Sequence, residues 1–415
     1  MRKLTLVIFI CFLVIVTFSQ NVEYAREIVE RLASEDFHGR GYVKRGDWKA
    51  AKFIGAQFYE NELNKFNGAY LQDYSFPMNT FPGKISVTID GHILIPGVDY
   101  VISSSAPSVN KTFSLVDLRS KGSNADSILA QLDVNNDDKL YLLNDKNTRG
   151  IYGRTIQNAS AVAIITEKTP YWHVSNGAVV EETVWMKIRE DRIPENAKSL
   201  DVKFKNRFFE NYQTQNVVGW VKGSRYPDKY YVITAHYDHL GMMGNDTYYP
   251  GANDNASGTA MLMDLALHYS KKENIPEYSV VFIAFSGEEA GLHGSTYFAN
   301  NPLFPLEDVE LVVNLDMVGS GSEGITVVNG TLYDDLINHM YEINETNSFL
   351  VEIKPRSESC NSDHCPFYQK GVKSIFIYTR GKELQKYHTI DDTSDDFPFT
   401  AYDGLFGLIT NIIEK

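Results

Sequence analysis

The sequence predicts an α/β fold with a largely parallel central sheet, interrupted by a β-rich insert. Three observations carry this. From Asn216 onward, short apolar runs alternate with loops and a helical stretch, the rhythm of strand, loop and helix. The runs YYVITA, SVVFIAF, VELVVNL and VKSIFIY are almost continuously apolar, as strands buried on both faces of a sheet must be. Between about Phe81 and Tyr212 the texture changes to short β-prone runs separated by Gly, Asn, Asp and Ser clusters.

At the N-terminus, Arg2 and Lys3 precede the apolar run Leu4 to Val16, and Thr17 and Ser19 supply the small residues of a cleavage site. Residues 1–19 therefore read as a secretory signal, since the run is short for a bilayer span of about 20 residues. Cleavage after Ser19 would place the chain in a secreted or periplasmic space with no stable membrane insertion. It would also remove Cys11 and leave Cys360 and Cys365, an even pair in an exported chain, which reads as a local disulfide.

Residues 20–80 hold two helices. Ala25, Ile28, Val29 and Leu32 recur at helical spacing, as do Ala51, Ile54, Gly55 and Phe58. The Gly-rich polar tract SEDFHGRGYVKRGD separates them. Residues 81–211 form the insert, with ISVTIDG, VDYVISS, TFSLVDL, KLYLLND and AVAIITE as its strands. The turn around Asp133, Asn135 and Asp137 lacks the central Gly of a calcium loop and has Asn144 where Glu belongs, so it reads as a solvated turn. Residues 212–415 form the α/β domain, with a helix over Gly258 to Tyr269 that aligns Met261, Leu262, Leu265 and His268.

The formal charge of −14 over 415 residues argues against nucleic acid or an anionic membrane as partner. Composition is ordinarily globular, with 43% hydrophobic and 22% charged residues, which excludes wholesale disorder. Oligomeric state is not readable.

The chemistry concentrates in five segments: His236 in TAHYDHLG, Asp254 in GANDNASG, Glu288 and Glu289 in SGEEAGLHGS, Asp316 in NLDMVG and His388 in YHTIDDT. His236, Glu288, Glu289 and Asp316 directly follow apolar strands, and His388 lies in the loop after another. Ligands of open α/β sheets collect beyond the carboxyl ends of strands, so these residues converge on one rim. Unpaired carboxylates beside buried strands would be costly, and metal coordination relieves that cost for the whole set. Two imidazoles and four carboxylates suit a pair of borderline metal ions sharing a bridging carboxylate, with one carboxylate left over as a base.

These segments resemble those of the M28 family of zinc aminopeptidases, from about Asn216 to the C-terminus and more weakly over the N-terminal helices. The resemblance implies a three-layer α/β/α zinc-exopeptidase architecture and two zinc ions. One would be held by His236 and Asp316, the other by Glu289 and His388, with Asp254 bridging. It further implies Glu288 as general base, Asp238 as the carboxylate orienting His236, and Tyr387 as a stabiliser of the oxyanion. The segment around Ser362, Asp363 and His364 is similar to one lining the approach to the family's site; His239 and His293 read as structural. The insert stands where many members carry a protease-associated domain, and ASAVAIITE is similar to that domain's last core strand. The sequon Asn255-Ala-Ser257 falls inside the metal segment, where a glycan would obstruct the site.

The implied activity is removal of N-terminal residues from peptides with a free N-terminus. Three alternatives share the scaffold: a glutaminyl cyclase, which typically has Glu-Asp where this chain has Glu288-Glu289, a glutamate-releasing carboxypeptidase with the same ligands, and a metal-free receptor-like binding module.

Overall fold

The computed structural model describes residues 22–119, 137–144 and 160–414. The signal expected over residues 1–19, and Asp133 and Asn135 of the calcium-like turn, lie outside them. Of that turn's other members, Asp137 accepts a hydrogen bond from Ser160 and the Asn144 amide donates to the Arg119 carbonyl, both ordinary protein contacts.

Helices α1 (Val22–Ala33) and α2 (Gly46–Glu60) lead into strand β1 (Leu71–Thr80). The chain then builds β2 (Ser86–Ile89), β3 (His92–Leu94), β4 (Tyr100–Ile102), β5 (Val109–Asp117), β6 (Lys139–Asn144), β7 (Ala161–Thr166), β8 (Val184–Arg189) and β9 (Ser199–Phe204). These eight form one sheet in the order β3-β2-β9-β5-β6-β7-β8-β4. The run AVAIIT is β7, parallel to both its neighbours β6 and β8 and buried between them.

The chain returns through β10 (Arg207–Val221) and β11 (Tyr226–His236), with the short ribbon β12 (Met242–Met243) and β13 (Thr247–Tyr248) beyond. Next come α3 (Gly258–Ser270), β14 (Tyr278–Phe285), α4 (His293–Asn300), β15 (Val309–Leu315), β16 (Ile325–Val328), α5 (Asp334–Asn347), β17 (Ile353–Pro355), α6 (His364–Gln369), β18 (Ser374–Thr379) and α7 (Tyr402–Ile413). The central sheet runs β1-β10-β14-β11-β15-β18-β16-β17. Its middle four strands, β14, β11, β15 and β18, are mutually parallel and are the four apolar runs of the sequence. Buried side chains of α1, α2, α3, α5 and α7 share one apolar core with β11, β14, β15 and β18. A second core on the opposite face includes Phe298 of α4 and Phe367 of α6.

Two elements differ from the sequence expectation. Residues 71–80, grouped with the helices, form an edge strand that pairs antiparallel with β10. Pro77 obscures it, because proline argues against a strand; here the register shifts between Phe76 and Met78, which accommodates it. β10 itself runs through the expected 211/212 boundary and pairs with β14, so the insert sheet hangs from a continuous two-stranded ribbon of the central sheet. The core of the insert is continuous with Tyr42, Tyr74, Leu240 and Tyr249 outside it.

Candidate metal centre

Each expected metal residue lies at a strand's carboxyl end or in the loop beyond it. His236 is the last residue of β11, Glu288 and Glu289 follow β14, and Asp316 follows β15. His388 lies beyond β18, and Asp254 sits in the irregular turn Ala252–Ser257 that enters α3. Gly251 opens that turn at φ 59°, and a Cβ there would lie 2.3 Å from both the Asp254 carbonyl and the His239 ring. Only glycine fits.

Asp254 organises the centre. Its Oδ1 lies 3.5 Å from His236 Nε2, which is also 3.4 Å from Asp316 Oδ1. Its Oδ2 lies 3.0 Å from His388 Nε2, which is 3.2 Å from Glu289 Oε2. One carboxylate thus faces two separate imidazole–carboxylate pairs. Glu288 joins the first pair, with donor atoms of Glu288, His236 and Asp316 all within 4.8 Å of one another.

The electrostatics call for cations. Burial would lower the His236 imidazole, yet Glu288 and Asp316 push it well above its usual range. Burial likewise opposes protonation of His388, but Glu289 and Asp254 raise it to about 11. Burial lifts Glu288 well above the usual carboxylate range despite the opposing pull of His236. The same burial would raise Glu289, but His388 and His239 hold it well below. Protons on the imidazoles would offset the carboxylates. Divalent cations would do so while leaving neutral imidazoles free to ligate, so the residues fit a metal pair.

Supporting contacts come from every side, and most were not legible in the sequence. His236 Nδ1 is 3.1 Å from the main-chain carbonyl of Asp238, whereas the Asp238 carboxylate is 3.8 Å away. That carboxylate instead accepts from the Tyr42 hydroxyl and the Glu288 amide, at 2.9 and 3.2 Å. Asp238 thus orients His236 chiefly through its backbone and steadies the Glu288 segment through its side chain. His239, expected to be structural, has Nδ1 2.7 Å from Glu289 Oε1 and holds that carboxylate. Asp392 accepts from the amides of Asn253 and Asp254, fixing the metal turn. Its position in the YHTIDDT segment was the available hint.

Arg40 is the largest omission. Its fully buried guanidinium donates to the carbonyls of Tyr237, Leu32, Pro250 and Gly251 at 2.6–2.8 Å. Burial lowers its pKa to about 10, opposed by Asp392 and Asp254. The polar tract between the two helices therefore contains the cation that ties α1 to the metal turn. Nothing in its periodicity signals this.

Ser362 donates to Asp316 Oδ2 at 2.9 Å and accepts from Asn314. Ser362, Asp363 and His364 are fully buried and do not line the cavity that the six chemical residues face. Cys360 and Cys365 form a disulfide across this loop, and Asn361 between them faces a cavity of about 530 Å³. All six chemical residues line that cavity, together with Arg356, Arg380 and Tyr387. The Tyr387 ring stacks on His388 at 3.7 Å. Asn255 is buried and its amide donates to the Leu315 carbonyl, which leaves no room for a glycan.

Residues 216–412 match the model of peptidase family M28. That match takes in nearly the whole α/β domain and just under half of the chain. The chain is 31% identical over 203 residues to aminopeptidase YwaD of Bacillus subtilis, covering 46% of this chain and 42% of the relative. A probable zinc metalloprotease of Pyricularia oryzae is 42% identical over 113 residues, covering 26% of this chain and 22% of the relative. The chain thus spans less than half the length of these curated relatives. The fold is that of a zinc aminopeptidase from Bacillus subtilis, with a TM-score of 0.72 over 95% of this chain and 94% of that one, at 19% identity. A Peptidase M28 precursor from Shewanella amazonensis gives 0.70, with 95% and 93% covered at 16% identity. Both alignments take in the insert as well as the M28 domain. Among the described residues, no helix is long and apolar enough to cross a membrane.

Proposed function

We propose that this chain is a secreted two-zinc aminopeptidase that hydrolyses the N-terminal residue from peptides. The observation that carries the reading is the division of Asp254, with one oxygen toward His236 and the other toward His388. That is the placement a bridging carboxylate requires. His236 and Asp316 would hold one zinc, and Glu289 and His388 the other.

Bound zinc would supply Lewis acidity, polarising the scissile carbonyl and lowering the pKa of the attacking water. Glu288, beside His236 and Asp316, would take the water's proton and pass it to the leaving amine. Burial lifts its pKa above the usual carboxylate range, the direction that favours taking up a proton. Tyr387 would donate from its hydroxyl to the developing oxyanion. Tyr387 is half exposed, and partial desolvation with the Asp254 and Glu289 carboxylates nearby raises its pKa, which favours the protonated donor. His239 and Ser362 hold the ligand carboxylates of Glu289 and Asp316 at their outer oxygens.

A panel of aminoacyl and N-blocked peptides tests the assignment. The free-amine set should be cleaved from the N-terminus, and activity should vanish on chelation and return with zinc. Release of C-terminal residues from N-blocked peptides would replace the reading with a carboxypeptidase. Arg356 in the cavity wall favours that second reading, because it could receive a substrate carboxylate, whereas Arg380 beside it is paired with Glu352. Fewer than about one zinc per chain, with no activity after zinc addition, would make this a binding module.

The disulfide should act on the cavity and not on global stability, since it closes a loop of sequence separation 5. Reduction and alkylation should therefore change KM across the substrate panel while leaving the thermal midpoint nearly unchanged. Identical kinetics before and after would remove that role.

A further inference from the structure

The two histidines of the centre are held differently. His236 is oriented from within its own segment, by the Asp238 carbonyl at 3.1 Å. His388 is not. Its Nδ1 lies 2.8 Å from the Trp172 carbonyl and 2.9 Å from His173 Nδ1, both contributed by the segment between β7 and β8. The Trp172 amide in turn donates to the His388 carbonyl at 3.0 Å, so the two segments are joined by a reciprocal main-chain and side-chain clasp.

The clasp has something to hold. His388 sits at φ 55°, a left-handed conformation that costs a non-glycine residue about 1 kcal/mol or more and persists only where its surroundings over-determine it. Trp172 is itself anchored. Its indole nitrogen donates to the Ile102 carbonyl of β4 at 2.7 Å, and its ring packs on Tyr249 with centroids 5.0 Å apart. On the other side of the strap, the Lys187 ammonium lies 3.7 Å from the Tyr171 ring centre. The rigidity of the insert sheet is thereby delivered to one imidazole.

We propose that the insert is a working part of the metal centre: the Trp172–His173 strap fixes the ring orientation and tautomer of His388. With Nε2 facing Asp254 and Glu289, a ligating His388 carries its proton on Nδ1 and donates it to Trp172 O and His173 Nδ1. His173 must then offer a lone pair at Nδ1 and carry its own proton on Nε2. His173 is a positioning residue in this account and touches no substrate. Hydrogen bonds of this kind typically change metal affinity by about tenfold to hundredfold. The proposal rests on His388 being a zinc ligand, and the test separates the two claims.

The experiment follows zinc retention in the full-length protein against increasing chelator, for wild type, His173→Ala and His173→Asn. Asn is chosen because its Oδ1 can accept near the place of Nδ1. His173→Ala should lose one of two zinc ions at about tenfold lower chelator, His173→Asn should retain it nearly as wild type does, and the thermal midpoint of the metal-stripped proteins should agree. The visible spectrum of cobalt-substituted protein should change in His173→Ala and recover in His173→Asn, a signature that general loosening of the insert would not restore. Equal zinc retention by wild type and His173→Ala, or an Asn variant as weak as Ala, overturns the orienting role alone. Wild type that takes up no zinc overturns the ligand assignment of His388 along with it.

Discussion

Glu288→Gln should keep the wild-type zinc content and lose about 10²–10⁴-fold in kcat, the range that general-base catalysis commonly supplies. The amide matches the carboxylate in size, so the packing around β14 should survive. It cannot accept the water's proton, and the step that depends on that acceptance fails. Glu288 is set apart from Glu289 by its neighbours. Glu289 is gripped by His239 at one oxygen and faces His388 with the other. Burial raises Glu288, whereas His388 and His239 hold Glu289 down, the division the proposed base and ligand roles would require. Metal analysis beside steady-state kinetics checks this. A Gln variant retaining more than about a tenth of wild-type turnover, with zinc in place, would remove Glu288 as the base.

Arg40→Met should destabilise the fold by about 3–5 kcal/mol, the scale expected when one member of a buried charged network is removed. Met keeps much of the bulk and supplies none of the donors. The carbonyls of Tyr237, Leu32, Pro250 and Gly251 would then be buried without their partner, each an uncompensated desolvation. The nearby carboxylates of Asp392 and Asp254 would lose their buried countercharge as well. Arg40→Lys should recover only part of the loss, since a compact ammonium cannot reproduce a planar fork reaching four carbonyls. Urea midpoints at fixed zinc concentration measure both variants. A shift equivalent to under 1 kcal/mol for the Met variant would show that the carbonyls find other partners.

Legibility in the sequence followed the range of the physics. The four parallel strands were readable because burial on both faces forces a continuous apolar run, and that constraint is local. The six residues around the metal centre were readable because each sits next to such a run or in a loop leading from it. β1 was missed because Pro77 breaks the local pattern and a register shift repairs it only in the paired sheet. Arg40, Asp392 and the Trp172–His173 strap were missed for a different reason. They act on main-chain atoms or on another side chain's far nitrogen, across separations of up to 216 residues, and no spacing rule encodes such a contact.

The sequence by itself determined which donor groups the chain brings to the site, since the donor types, their order and their adjacency to buried strands are all written locally. Only the tertiary structure decided how that chemistry is held. Asp238 supports His236 through its carbonyl more closely than its carboxylate, His239 is a support for Glu289, and the insert reaches across to His388. The reason is geometric: a ligand's identity belongs to its residue, but its orientation belongs to whatever the fold packs against the side of the ring that faces away from the metal.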